Sequence, residues 1–414
     1  MKNKIIGPLL IIGSIFFILG FITWLNGLLI PYLKTACELT DFQALFVAFV
    51  FYISYTVMAL PSSWILKITG FKNGISLGLW IMALGSLFFI PAAYTRLYPF
   101  FLAGLFILGA GMAILQTAVN PYITILGPIE SAAKRISFMG IANKVAGAIA
   151  PLVLAYFVVH KGDDEIIRNI SNMSVADKNM FLDELAMRVV VPYLIMSLLL
   201  FLAGIGIKYS GLPDIEKEED TDATVTPHKS IWDYPYLILG VITLFLYVGA
   251  EVIAGDTIIR YGQSLGIPME IAKNFTTYTM IAMVAGYLLG ILLIPKYISQ
   301  EKALMGSAIL GIIFSIGALM TTGYTSVMFI ALLGLANALV WPAVWPLAIK
   351  GLGEHIKTGS ALLIMAISGG AILPLIWGKL ADVYNTHTAY VLLIPAYLFI
   401  LFYAVKGHKI KSWK

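Results

Sequence analysis

Apolar residues along the chain fall into long unbroken stretches separated by short polar breaks. Neither the alternation of a half-buried strand nor the one-sided stripe of a surface helix dominates. A helix that crosses a bilayer needs about 20 mostly apolar residues. That template fits twelve times, near residues 8–33, 42–66, 74–94, 98–126, 137–160, 189–209, 234–262, 271–295, 302–322, 324–349, 358–378 and 387–406. The first stretch is too long for the hydrophobic core of a cleaved signal peptide and is read as a retained helix. Two polar intervals stand apart. Residues 161–188 are expected to form an external loop with a short surface helix, begun by Ser174 as N-cap with Asp177 in the first turn. Residues 211–233 carry Glu216, Glu218, Glu219, Asp220 and Asp222 and fall between the sixth and seventh spans.

An even number of spans places both termini on one side, and the distribution of Lys and Arg says which side that is. Of the 27 cations, 17 fall on the side of the termini and nine on the other. Both termini are therefore expected in the cytoplasm, with the chain in the cytoplasmic (inner) membrane. The remaining cation, Lys144, lies inside the fifth span. Composition agrees: 60% of the 414 residues are hydrophobic and 12% are charged, against about 25% charged in soluble proteins. The scattered cations form no nucleic-acid-binding face. With Cys37 as the single cysteine, no intrachain disulfide or cysteine metal cluster can form. The expected class is all-α and integral to the membrane. It has an N-terminal six-helix bundle (1–210), a cytoplasmic linker (211–233) and a C-terminal six-helix bundle (234–414). Short internal matches support two parallel repeats. The run 147–151, GAIAP, is echoed by 370–374, GAILP, at an offset of 223, and 119–121, VNP, by 344–346, VWP, at 225.

Ionisable residues within a span are expensive, at about 2.5–3.5 kcal/mol at mid-membrane on insertion scales, and so mark function. Lys144, Glu251 and Asp256 are the candidates for coupling or gating. Asp256 also has the simpler reading of a mouth residue paired with Arg260 one turn on. Counted from residue 137, Lys144 lies about 10 Å above the cytoplasmic edge, whereas Glu251, counted from Tyr234, lies about 25 Å above it. That difference predicts that Lys144 meets polar groups of the first or fourth span instead of Glu251. The amides Asn26, Gln116, Asn120, Asn143 and Asn337 both donate and accept hydrogen bonds, which suits hydroxyl-rich ligands such as sugars. Trp341 and Trp345, four apart and each followed by proline, offer planes for the apolar face of a pyranose, on a helix expected to bend. The five histidines lie at span ends or in loops, and no phosphate-binding GxxxxGK[ST] loop is present. No enzyme activity, metal or cofactor is expected, apart from a proton or sodium ion as possible coupling partner.

Several motifs together resemble the fucose–galactose–glucose family of the major facilitator superfamily. They are Leu25-Asn26-Gly27 with Pro31; Phe42-Gln43-Ala44 with Phe51, Tyr52 and Tyr55; 117–122, TAVNPY, with Leu126-Gly127-Pro128; 247–251, YVGAE, with Arg260-Tyr261; and Lys350-Gly351-Leu352-Gly353. The resemblance covers almost the whole chain and is strongest to the glucose/galactose branch. It implies a monomeric twelve-helix hexose carrier, two bundles related by a pseudo-two-fold axis, that exposes a central site alternately to each side of the membrane. The departures are informative. Gly27 and Gln116 stand where proton-coupled fucose carriers of the family have carboxylates, and Tyr287 replaces an arginine usual in the eighth span. The resemblance therefore leaves cation symport and uniport both open, with Lys144 in the first case exchanging a partner as the halves rock, Glu251 being the first candidate, and in the second a fixed substitute for a coupling cation. The alternatives are export of a lipophilic drug and a non-transporting membrane sensor.

Overall fold

The computed structural model describes residues 2–44, 46–160, 162–212, 230–272 and 274–413. Most of the predicted linker, 213–229, and the side chain of Asn26 lie outside the described residues. Among the described residues, eleven helices are long and apolar enough to cross a membrane. One of them, Phe46–Thr95, has 50 residues and would measure about 75 Å if straight, more than twice the hydrocarbon thickness of about 30 Å. It contains two crossings, separated at Gly70, whose φ of 75° and ψ of 178° leave helical geometry. Only glycine takes that conformation without strain. Twelve crossings result, as the hydropathy pattern predicts: α1 Lys2–Ala36, α2 46–69, α3 71–95, α4 Tyr98–Ile125, α5 Ala132–Val158, α6 Val190–Tyr209, α7 Pro235–Asp256, α8 Phe275–Leu293, α9 Gln300–Met320, α10 Gly323–Ile349, α11 Gly353–Val383 and α12 Thr386–Lys409.

Two helices are interrupted where chemistry requires it. α10 breaks at Leu339, between Gly323–Ala338 and Val340–Ile349. Pro342 has no N–H to return to the carbonyl of Ala338, so the expected bend falls one turn before that proline. α7 ends at Asp256, and a separate short helix, Ile258–Ser264, follows Thr257. Outside the spans, Ser174 caps the helix Val175–Met187 by accepting the N–H of Asp177, as the sequence suggests. A second short helix, Asp163–Asn169, precedes it. Arg188, at the end of that helical cap, pairs with Asp163 at 2.6 Å, and the hydroxyl of Tyr32 donates to the carbonyl of Leu185. The cap is thereby tied to the far end of α1.

In the first half α1 packs on α5, α2 and α3 on α4, and α3 on α6; in the second, α8 and α9 pack on α10, α9 on α12, and α7 on α11. Helices in lipid gain from close backbone approach, which small residues permit. At Gly20 of α1 an added methyl would fall onto the backbone of Asn143 in α5. The halves meet through α2 with α11 and through α5 with α8 and α10. Side-chain bonds between them cluster at the end carrying both termini, where Ser63 Oγ lies 3.1 Å from Thr358 Oγ1 and Gln300 Oε1 accepts from the Ala133 N–H at 2.8 Å. At the same end Arg135 donates to the carbonyls of Ile123, Thr124, Gly127 and Pro128. One guanidinium thus satisfies the last turn of α4 and the loop beyond it.

Gly20→Ala is expected to force α1 away from α5 and to lower stability by about 1–3 kcal/mol. Thermal unfolding of the detergent-purified protein, followed by size-exclusion, measures this; an unchanged midpoint would show that the contact is not tight.

Candidate functional site

Between the halves lies a cavity of about 540 Å³, lined by parts of α1, α2, α4, α5, α7, α8, α10 and α11. It sits beyond the cluster of bonds at the terminal end and extends toward the far end, where Ile30, Ala48 and Ile259 line it. Gln116 and Asn120, one turn apart on α4, both face it, as does Asn143 of α5. Each already makes at least one hydrogen bond. Gln116 Nε2 donates to the Tyr55 hydroxyl at 3.1 Å. Asn120 Nδ2 donates to the carbonyl of Gln116 at 2.9 Å, and its Oδ1 accepts from Trp341 Nε1 at 3.2 Å. Asn143 Nδ2 donates to the carbonyl of Phe16 at 3.4 Å. The bond between Asn120 and Trp341 crosses from one half to the other.

Lys144 and Glu251 form a second cross-link, and here the expectation from depth is wrong. Nζ of Lys144 is 2.7 Å from Oε1 of Glu251, with the two side chains 8% and 20% exposed. The error lies in where the helix starts. α5 begins at Ala132, so Lys144 is twelve residues in, about 18 Å up, while Glu251 is sixteen residues past Pro235, about 24 Å up. An extended lysine stem spans the remaining ~6 Å. The predicted contact with the first span also exists, though not with a polar group as expected: the ammonium lies 4.9 Å from the centroid of the Trp24 ring, a cation–π arrangement.

Asp256 also lines the cavity, but the pairing with Arg260 does not occur. The break at Thr257 removes the continuous helical face that would bring the two together. Arg260 instead reaches Asp382 at 3.3 Å and lies over Trp377. Two further candidates are not on the cavity wall. Asn337 is fully buried, accepting from the Tyr397 hydroxyl at 2.8 Å. Trp345, also fully buried, stacks behind Trp341 with ring centroids 5.3 Å apart. Of the tryptophan pair, only Trp341 meets the cavity. Sequence reasoning missed Trp24 and, as wall residues, Tyr52, Tyr55, Tyr247 and Tyr287. For Trp24 a signal existed in its place beside Leu25-Asn26, and the tyrosines stand in or at the family motifs quoted above, which could have marked them as wall residues.

A twelve-span helical protein with its cavity between two packed halves defines a class. Residues 12–374 match the profile of the Major Facilitator Superfamily, and the chain belongs to that superfamily: it is a multi-pass membrane transporter, not an enzyme. Among its relatives is a protein named glucose/galactose transporter from Brucella abortus, 35% identical over 398 residues that take in 95% of this chain and 92% of that one. The Escherichia coli L-fucose-proton symporter is 29% identical over 411 residues, 96% of this chain and 91% of that one. A crystal structure of the E. coli fucose:proton symporter superimposes with a TM-score of 0.85 at 27% identity, covering 99% of this chain and 100% of that one.

Removing one partner of the central ion pair leaves the other charge buried alone. Lys144→Met is expected to destabilise the protein by about 3 kcal/mol, and adding Glu251→Gln to recover at least half of the loss. Melting curves of the two single variants and the double variant form the cycle; simple additivity would show that the two groups do not interact.

Proposed function

We propose that the chain carries a neutral hexose of the glucose/galactose kind across the cytoplasmic membrane by alternating access. The observation that carries this is the wall of the cavity between the halves. Three amides, Gln116, Asn120 and Asn143, stand with the aromatic planes of Trp24 and Trp341 in a space of a size usual for small-molecule sites. Amides match hydroxyls as both donors and acceptors, and an aromatic face covers the C–H side of a pyranose. The names of the relatives from B. abortus and E. coli point the same way. Asn26 belongs to the proposal through its sequence motif alone. Asn337 and Trp345 act indirectly, by supporting α10 behind Trp341.

The excess of Lys and Arg at the terminal end supports a cytoplasmic position for that end, and under it the cavity extends toward the outside in this conformation. The chain works as a monomer, each copy holding a complete cavity. Lys144, Glu251 and Asp256 form the coupling or gating element. Under symport, a proton or sodium ion acts at Glu251 and Asp256 while Lys144 exchanges partners. Under uniport, Lys144 is the permanent counter-charge and no ion moves.

Uptake of labelled glucose into proteoliposomes, with proton or sodium gradients imposed, separates these outcomes. Accumulation above equilibrium identifies symport with that ion, equilibration without accumulation identifies uniport, and the absence of saturable flux overturns the carrier reading. In the same assay Gln116→Ala and Asn143→Ala are each expected to raise the half-saturation concentration on the order of tenfold, the effect of one lost hydrogen bond to the ligand.

A further inference from the structure

Two of the bonds at the terminal end share a form that the other contacts between the halves lack. Every helix leaves its first N–H groups and its last carbonyls without partners inside the helix. At the start of α5 one such donor, the Ala133 N–H, is taken by Oε1 of Gln300, which is 7% exposed and is the first residue of α9. In the last turn of α2, just before Gly70, the Leu66 carbonyl accepts from Nζ of Lys357 at 2.8 Å; Lys357 stands in the first turn of α11. The same ammonium lies 5.3 Å from the centre of the Phe71 ring. In both cases a side chain of the second half caps a helix end of the first.

We propose that Gln300 and Lys357 are the positioning residues of the transport cycle that hold this end closed, as helix caps supplied across the gate. The proposal rests on the alternating-access reading, under which these two interfaces separate. A cap suits a contact that must be made and broken. The freed N–H and carbonyl lie at helix ends, where water takes over when the halves part, so neither state leaves a buried orphan. The Lys144–Glu251 pair differs, because its charges lie deep in the membrane. The arrangement is also one-sided. The side chain of Lys134, which precedes Lys357 by the repeat offset of 223, makes no hydrogen bond among the described residues, and the bond at the start of α5 is made by Gln300 instead.

The test uses the full chain in proteoliposomes with Cys37→Ser and a reporter, Ser137→Cys. Ser137 is fully buried beside Gly290, where α5 meets α8. A membrane-impermeant maleimide added from the terminal side labels the reporter only when that end opens. Lys357→Met and Gln300→Leu are each expected to raise the labelling rate on the order of fivefold, the effect of one lost cap, and the double variant to raise it further. Lys357→Arg and Gln300→Glu, which keep a donor and an acceptor, are expected to restore the slow rate. Unchanged rates in both single variants, or conservative variants that label as fast as the apolar ones, overturn the proposal. No sugar is present in the assay, so its outcome is independent of the uptake experiment that tests the carrier reading. Should Lys357→Met not fold, Gln300→Leu and its Glu counterpart decide alone.

Discussion

A lysine and a glutamate facing each other at 2.7 Å from two membrane-spanning helices constrain most of what surrounds them. Neither charge can face lipid, and neither can be left without the other inside a span. α5 and α7 must therefore present these positions toward one another, which brings the two halves together around an interior polar space. The Trp24 ring beside the ammonium belongs to the same solution, adding a third helix and an electron-rich face to a site that already has its counter-ion. Ion pairs of this kind are weak sources of stability, because desolvation offsets most of the attraction. The pair instead fixes how the halves sit relative to each other: any motion between them must carry both charges or provide each with a new partner.

The fold was legible because lipid imposes a strong condition. A chain that must satisfy its backbone inside hydrocarbon has to cross it as uninterrupted helix, and runs of about 20 apolar residues show that directly. The cap at Ser174 was visible for a similarly local reason. The site was less legible, and its failures share a cause. The depth of Lys144 depends on where α5 begins, and Ala132–Ile136 belong to the helix although they precede the apolar run. The partner of Arg260 depends on a helix break at Thr257, two residues past Gly255, and a glycine in a membrane span does not by itself announce a break. Trp341 and Trp345 look equivalent in sequence, yet the first meets the cavity and the second is sealed behind it. Position along a helix can be read from residue type and spacing; rotation about its axis and the exact point where it ends cannot.

The bonds within the cavity wall have a bearing on affinity. Asn120 already accepts from Trp341, and Gln116 already donates to Tyr55. A ligand hydroxyl that takes either place does not gain a new bond but trades with an indole or a phenol. Under the proposed function, recognition at these two places is an exchange reaction, in which the protein's own aromatic groups are the outgoing ligands and can return as soon as the hydroxyl leaves. Binding of that kind is selective in geometry and modest in strength, a combination suited to a carrier that must release on one side what it has taken up on the other. Because one of the outgoing groups belongs to α10 and its acceptor to α4, the same exchange also loosens a tie between the halves.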